Sequence, residues 1–300
     1  MSGFGARNIQ MDRRGERVFE AIVESGSLVV RQFGGDRAGE VGAHRFFEAP
    51  DISFETIGDR FAARTRHAAQ GRRIVVAQDT TEINFSGRDR GRKGLGPAGN
   101  GKALGFFIHP LIAVDIDTEA LLGLCWSKIW TRSDTGLRHR RARDFADKES
   151  YRWLQATSAA GVLLDAAAAV VMVAGREGDI YPHFARRPDN VDVIIRAAQD
   201  RNLAAGGHLF AALEALPALG GQRVDVGSRR IGRKGRTARV VLKAGQVRIR
   251  RPQHGCWRDD PDYLELNVVE AREIDAPEGA APLLWRLVTT LPVTTLGRGL

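Results

Sequence analysis

The spacing of hydrophobic positions divides the chain into a helical first part and a mixed second part. Over the first 70 residues, apolar side chains such as Val18 and Ile22 recur at helical intervals. Asp51 or Ser53 can cap a helix that begins after Pro50. The pattern predicts three helices: one that follows residues 12–14 and is ended by residues 25–27, and two over residues 39–47 and 54–67.

Beyond residue 72, short β-branched runs replace the helical spacing, and turn residues separate them. The runs before residue 200 predict strands over 74–79, 80–85, 106–115, 120–130, 170–174 and 191–196, with helices over 149–160 and from 181. The runs after residue 220 predict strands over 224–226, 239–242, 247–250 and 264–269. The chain is therefore predicted to be an α/β protein with a strand-rich region near its end.

Composition agrees with a folded protein outside membranes. The 300 residues are 43% hydrophobic and 27% charged, which excludes a disordered, collagenous or coiled-coil chain. The longest apolar run, residues 166–174, is too short to span a bilayer, and the first residues lack the apolar segment of a signal peptide. We expect a cytoplasmic protein.

The balance of charges favours a polyanionic partner. The net charge is +9, and nucleic acid is the commonest partner for such a chain, although a solvated basic surface is the plain alternative. Residues 223–251 hold eleven basic side chains and one acid. A strand here places Arg248 and Arg250 on one face.

Three chemical motifs are weak or absent. Residues 96–103 nearly match a phosphate-binding loop, but Ala103 replaces the Ser or Thr that holds Mg²⁺, and a basic loop over 88–102 is the better interpretation. The two cysteines lie far apart, and the histidines lack zinc-enzyme spacing. No serine-hydrolase elbow is present.

Asp79 is the acid that stands out, because it ends a strand of the buried type. A lone Asp in this position is more often a helix cap or turn residue than a metal ligand. Two bound Mg²⁺ ions need oxygen ligands from more than one residue. The other buried strand, residues 170–174, is followed by Gly175, with Glu177 and Asp179 close behind.

Several segments, taken together and in order, resemble the bacterial insertion-sequence DDE transposases. The nearest branch is insertion sequence four, which includes the cut-and-paste transposase of a kanamycin-resistance transposon. The central resemblance lies in Asp79-Thr80-Thr81 and in residues 94–110. Further similar segments are residues 12–14, 42–50, 147–153, 176–180, 196–201 and 282–292.

The resemblance implies a ribonuclease-H-like fold, a mixed sheet with flanking helices. It implies a helical DNA-binding module over 1–70, the first part of a catalytic core over 71–200 and a β-rich insertion over 201–280. Residues 281–300 are then the start of the C-terminal part of the core.

The resemblance also implies roles for individual residues. Asp79 is the first of three acids that hold Mg²⁺ or Mn²⁺, and Trp285 supports a base flipped out of the DNA stack. Without the resemblance, Trp285 reads as a core aromatic in an apolar strand. The implied partners are transposon ends and target DNA, bound by a nucleoid-associated homodimer. The expected DNA contacts are Arg13, Arg14, Arg45, Lys102, Arg176, Arg196, Arg201, Arg248 and Arg250.

The chain departs from that family at two places. Gly175 stands where the family has its second catalytic Asp, and the sequence stops at Leu300, before the helix that carries the third acid. We therefore expect a transposase by descent whose catalysis is defective, with Glu177 and Asp179 as the nearest substitute acids. The alternatives are a DNA-binding or dimerising remnant that competes with an intact transposase, and an unrelated basic nucleic-acid-binding protein.

Overall fold

The first part of the chain is a small helical bundle. The computed structural model describes residues 9–85, 93–99, 103–132, 148–227, 235–253 and 259–293. All three predicted N-terminal helices are present, and a short additional helix lies between the first two. The helices are α1 (Ile9–Ser25), α2 (Val30–Phe33), α3 (Arg37–Phe47) and α4 (Phe54–Ala68).

Local hydrogen bonds fix where these helices begin. The Asp36 side chain accepts from the Gly39 amide and caps α3, while Ser53 and Thr56 form a reciprocal capping box at the start of α4. The apolar faces meet in a core of their own, separate from that of the sheet. Its buried members are Val18, Phe33, Ala43, Phe46 and Ile52.

The rest of the chain is built on one sheet of eleven strands in the part that the structure describes. Its strands are β1 (Arg73–Gln78), β2 (Thr81–Phe85), β3 (Gly96–Ala98), β4 (Ala103–Asp115), β5 (Leu121–Trp130), β6 (Ala169–Ala174), β7 (Asp192–Arg196), β8 (Ala218–Val226), β9 (Arg236–Arg250), β10 (Tyr263–Ile274) and β11 (Leu284–Thr289).

The central strands combine antiparallel and parallel pairing. β4 runs antiparallel to both of its neighbours β5 and β1, whereas β6 is parallel to β1, and β7 is parallel to β6. β11 joins β7 antiparallel, and β10, β9 and β8 continue the sheet in antiparallel fashion. The strands on either side of residue 200 therefore belong to one mixed sheet.

Helices cover one face of this sheet. They include α5 (Tyr151–Leu163), α6 (Tyr181–Ala185) and α7 (Leu209–Ala215), and α4 also packs on the sheet, where its Thr65 Oγ1 donates to the Leu124 carbonyl of β5 at 2.8 Å. Ala156 of α5 and Leu213 of α7 share a buried core with Ile74, Met172 and Ile195 of the strands. The chain thus has a mixed α/β fold with one large sheet and flanking helices. Among the described helices, none is long and apolar enough to cross a membrane.

Some strands differ from the prediction for reasons that involve distant residues. Residues 239–242 and 247–250 belong to one continuous strand, β9, because β10 pairs with it without a break from Arg239 to Arg250. Gly245 lies where a Cβ would come within 2.8 Å of Leu216 Cδ2, so the glycine lets the end of α7 approach the strand. Within the predicted loop 88–102, residues 96–98 instead pair with β4 as β3. The sequence pattern also did not predict α7.

Candidate nucleic-acid interface

Asp79 and Gly175 occupy neighbouring positions at the carboxyl ends of two parallel strands. The register pairs Gln78 of β1 with Ala174 of β6, so the next residue of each strand lies beside the other. Adjacent strands are about 4.8 Å apart. Both residues are exposed, and the Asp79 Oδ1 atom accepts a hydrogen bond from the Thr80 amide at 2.8 Å.

The same row continues across the sheet to Arg196 and Trp285. Ala174 pairs with Ile195 of β7, which puts Arg196 next to Gly175 on the same face. Arg196 is opposite Leu287 of β11, and Trp285 lies two residues further along that face. The Arg196 guanidinium carbon is 5.9 Å from the Trp285 ring centroid. Asp79 and Trp285 are separated by three strand spacings, or about 15 Å.

Trp285 is a surface side chain, although it belongs to a strand. It is 55% exposed. The strand that its apolar neighbours suggested is therefore present, but Trp285 does not lie in the core. Arg176, directly after Gly175, is also exposed. Arg176, Arg196 and the exposed indole of Trp285 therefore lie at the same end of the sheet's strands as Asp79. Lys102, the other basic residue expected nearby, lies outside the described residues.

The two acids that follow Gly175 are engaged with arginines. Asp179 is buried; its Oδ2 atom accepts the amides of residues 198 and 199, and its Oδ1 atom accepts from Arg201 at 2.5 Å. Glu177 is exposed and accepts from Arg152 Nη2 at 2.7 Å. Arg201 is itself 9% exposed, so in this structure its fork binds Asp179, and its DNA contact stays a prediction.

The side chains beside Asp79 do not fit a two-metal centre. Gly175 supplies no side-chain oxygen, and Asp179 would have to leave a buried ion pair to become a ligand. Among the described residues there is no group of three His, Cys, Asp or Glu side chains that could hold a metal ion. Along this row of strand ends, the carboxylate that the described residues supply is that of Asp79.

Arg248 and Arg250 lie elsewhere on the sheet. Both are exposed on one face of β9, as their alternation predicts. The register puts them opposite Glu265 and Tyr263, at the end of the strands away from the Asp79 row. Arg248 lies 4.8 Å from the Tyr263 ring centroid. These residues form a second basic area, separated from Asp79 by five strand spacings, or about 24 Å.

The N-terminal arginines of the prediction are on the helical bundle. Arg13 of α1 and Arg45 of α3 are exposed, while Arg14 is half-buried, and its Nη1 atom contacts Met11 Sδ at 3.4 Å. Because α1 and α3 pack against each other through Val18, the two helices present these cations on one module.

A buried polar cluster beneath Asp79 was not predicted. It contains His109 of β4 and His183 of α6, and burial lowers the pKa of the first to about 3 and of the second to about 4. Arg152 lies beside them, and burial lowers the pKa of its guanidinium too. The one sequence signal was Gln78, a polar residue on the buried side of an apolar strand.

No model of a known protein family matches this chain.

Proposed function

We propose that this chain is a DNA-binding protein with a ribonuclease-H-like core of the DDE-transposase type, and that it binds DNA without efficient cleavage. The observation that carries the proposal is the shared row of Asp79, Gly175, Arg196 and Trp285. It joins an acid at a strand end to an exposed aromatic and a cation.

The order of the strands supports the ribonuclease-H-like part of the proposal. The sequence β5-β4-β1-β6-β7, with the first three antiparallel and the last two parallel to β1, is the arrangement expected of that fold. In the resemblance, the first two acids end the strands here numbered β1 and β6. Asp79 and Gly175 stand at those two ends.

The chemistry of the row supports DNA as the ligand. A partly exposed indole offers a stacking surface to an unpaired base, worth about 1–3 kcal/mol per base. Arg196, within cation–π distance of that indole, can hold the adjacent phosphate. The basic areas at Arg248 and on α1 and α3 supply positive charge that attracts a longer duplex. The proposed DNA-bound form is a homodimer.

The proposed metal chemistry is limited to one carboxylate. Asp79 is the residue that we propose for Mg²⁺ or Mn²⁺, and because Gly175 supplies no second carboxylate beside it, such ions are held poorly. A protein that binds DNA ends and does not cut them would compete with an active relative. An unrelated basic nucleic-acid-binding protein is the second candidate, favoured by the general charge of +9 alone.

The test is DNA affinity measured by fluorescence anisotropy on duplexes with and without unpaired bases. The affinity of wild type should fall about 10³-fold or more between 50 and 200 mM salt if six or more phosphates are contacted. Trp285→Ala should weaken binding about 5- to 100-fold on the duplex with unpaired bases, and less on the fully paired one.

Matched controls separate this site from general charge. Arg73→Ala removes one charge at the other end of β1, and Val162→Ala trims a side chain that is 76% exposed. Arg196→Ala should weaken binding more than Arg73→Ala does. Equal effects of the two arginine changes, with no effect of Trp285→Ala, would favour the unrelated basic protein.

A further inference from the structure

A chain of hydrogen bonds runs beneath Asp79 from one side of the strand end to the other. Gln78 and Thr80, the two neighbours of Asp79, both take part in it. His109 Nδ1 lies 2.9 Å from Thr80 Oγ1, and His109 Nε2 lies 3.0 Å from Gln78 Oε1. On the far side, Gln78 Nε2 lies 3.3 Å from both His183 Nε2 and Thr157 Oγ1, and the Thr157 hydroxyl lies 2.7 Å from His183 Nε2.

The two ends of this hydrogen-bond chain fix the direction of every proton in it. Arg152 Nε, 2.9 Å from Thr80 Oγ1, can only donate, whereas the Gly178 carbonyl, 2.9 Å from His183 Nδ1, can only accept. His183 therefore carries its proton on Nδ1 and accepts at Nε2. Gln78 then donates through its nitrogen, so its oxygen accepts from His109 Nε2.

The remaining links agree with that direction. His109, protonated on Nε2, accepts at Nδ1 from the Thr80 hydroxyl, and the Thr80 oxygen accepts from Arg152. Each donor thus points the same way, from Arg152 through Thr80, His109, Gln78 and His183 to the Gly178 carbonyl. Both imidazoles are fully buried and neutral in this arrangement.

The hydrogen-bond chain connects the two strand ends that form the candidate site. It holds the residues on both sides of Asp79, and it ends three residues beyond Gly175, in the turn that follows β6. Gly178 is packed tightly there, since a Cβ would come within 2.7 Å of Ala174 Cβ and 3.2 Å of Trp153 Cε3.

We propose that His109, Gln78 and His183 are positioning residues, which hold the Asp79 carboxylate in register with position 175 through this directional chain. The inference deepens the proposed function, because it matters to DNA binding or metal chemistry only if the Asp79 row is the site. The position of Asp79 relative to position 175, which the inference concerns, is measured without DNA.

The first test reads the tautomers directly, with long-range ¹H–¹⁵N spectra of the uniformly labelled full chain at neutral pH. The imidazole signals are assigned by their loss in His109→Gln and His183→Gln. We expect a neutral Nε2–H form for His109 and a neutral Nδ1–H form for His183. The opposite tautomer at either histidine would overturn the proposal.

The second test measures the register of the two strand ends. In the Asp79→Cys/Gly175→Cys protein, formation of the 79–175 disulfide under mild oxidation is followed by peptide mapping. Adding Gln78→Met, which removes the central link, should slow bridge formation about fivefold, the factor that one buried hydrogen bond is worth.

The matched control is Thr65→Val. Thr65 is equally buried and donates to the Leu124 carbonyl at 2.8 Å, but it belongs to α4 and contacts none of the links from Arg152 to Gly178 described above. It should leave the rate near that of the parent double-cysteine protein. An unchanged rate with Gln78→Met, or equal slowing by Thr65→Val, contradicts the positioning role. Failure of DNA binding with the expected tautomers and rates would instead refute the proposed function alone.

Discussion

Gly175 lies beside Asp79 with open space where a side chain would project. A Cβ built on Gly175 meets nothing within 4 Å, and its backbone is extended, with φ −71° and ψ −170°. Three residues later, Gly178 has no room for even a methyl group. The two glycines of one turn therefore differ in what they tolerate.

Gly175→Asp should fold and create a cation-responsive pair of carboxylates. With space available, its free energy of unfolding should stay within about 1 kcal/mol of wild type, the loss arising from repulsion by Asp79. Mn²⁺ should raise the melting temperature of this variant more than that of wild type, because two carboxylates hold a divalent ion better than one.

Two further variants check that interpretation by differential scanning fluorimetry. Asp79→Asn/Gly175→Asp should lose the response to Mn²⁺. Gly178→Asp should melt far below wild type or fail to fold, since its side chain would collide with Ala174 and Trp153. An Mn²⁺ response that survives Asp79→Asn would show that Asp79 is not the ligand.

Gly175→Asp alone should not cut DNA. A two-metal reaction needs ions about 3.5–4 Å apart, clamped by more carboxylates than this pair. The next acids along the turn, Glu177 and Asp179, are bound by Arg152 and Arg201. A nicking assay on supercoiled DNA with Mg²⁺ should show no product above wild type. Nicking that disappears on adding Asp79→Ala would mean that one of these acids had taken the third role.

The buried Asp179–Arg201 pair should be a major contributor to stability. Asp179→Asn leaves the Arg201 cation buried without its counter-charge, and such losses cost about 3–5 kcal/mol. Asp165→Asn, in a half-exposed pair with Arg66, should cost less than about 1 kcal/mol. Urea denaturation of the two variants compares the costs, and equal small losses would leave Asp179 available as a metal ligand.

The local sequence pattern was sufficient to predict those helices and strands whose formation depends on their own residues. Helical spacing predicted α1, α3 and α4, and the β-branched run ending at Gln78 predicted β1, because burial of one face dictates both patterns. The mixed α/β class followed from the same signals. β9 was predicted as two strands, since nothing local to Gly245 shows that β10 pairs beside it.

Only the local features of the candidate site could be predicted from the sequence. Asp79 and Gly175 are each recognisable as residues that end apolar strands, but their adjacency depends on parallel pairing over almost 100 residues of sequence. Engagement of Arg201 by Asp179 is equally non-local. His109 gave no signal by itself, because its role depends on Thr80 and Gln78 from another strand.

The buried histidines should make stability fall as the solution becomes acidic. Burial lowers the native pKa of His109 to about 3 and of His183 to about 4, against 6.5 for an ordinary histidine. Below pH 6.5 the unfolded chain therefore binds protons that the native chain does not. Each histidine removes about 1.4 kcal/mol of stability per pH unit, from pH 6.5 down to its native pKa.

Urea denaturation at two pH values isolates the share of His109. His109→Gln keeps a donor for Gln78 but cannot titrate, so the variant should lose about 2 kcal/mol less than wild type between pH 7 and pH 5. His208→Gln, at an exposed histidine, is the control and should reproduce the wild-type loss. If His109→Gln and wild type lose equal stability over this interval, His109 is protonated in the native chain, and the neutral imidazole on which the hydrogen-bond direction depends is wrong.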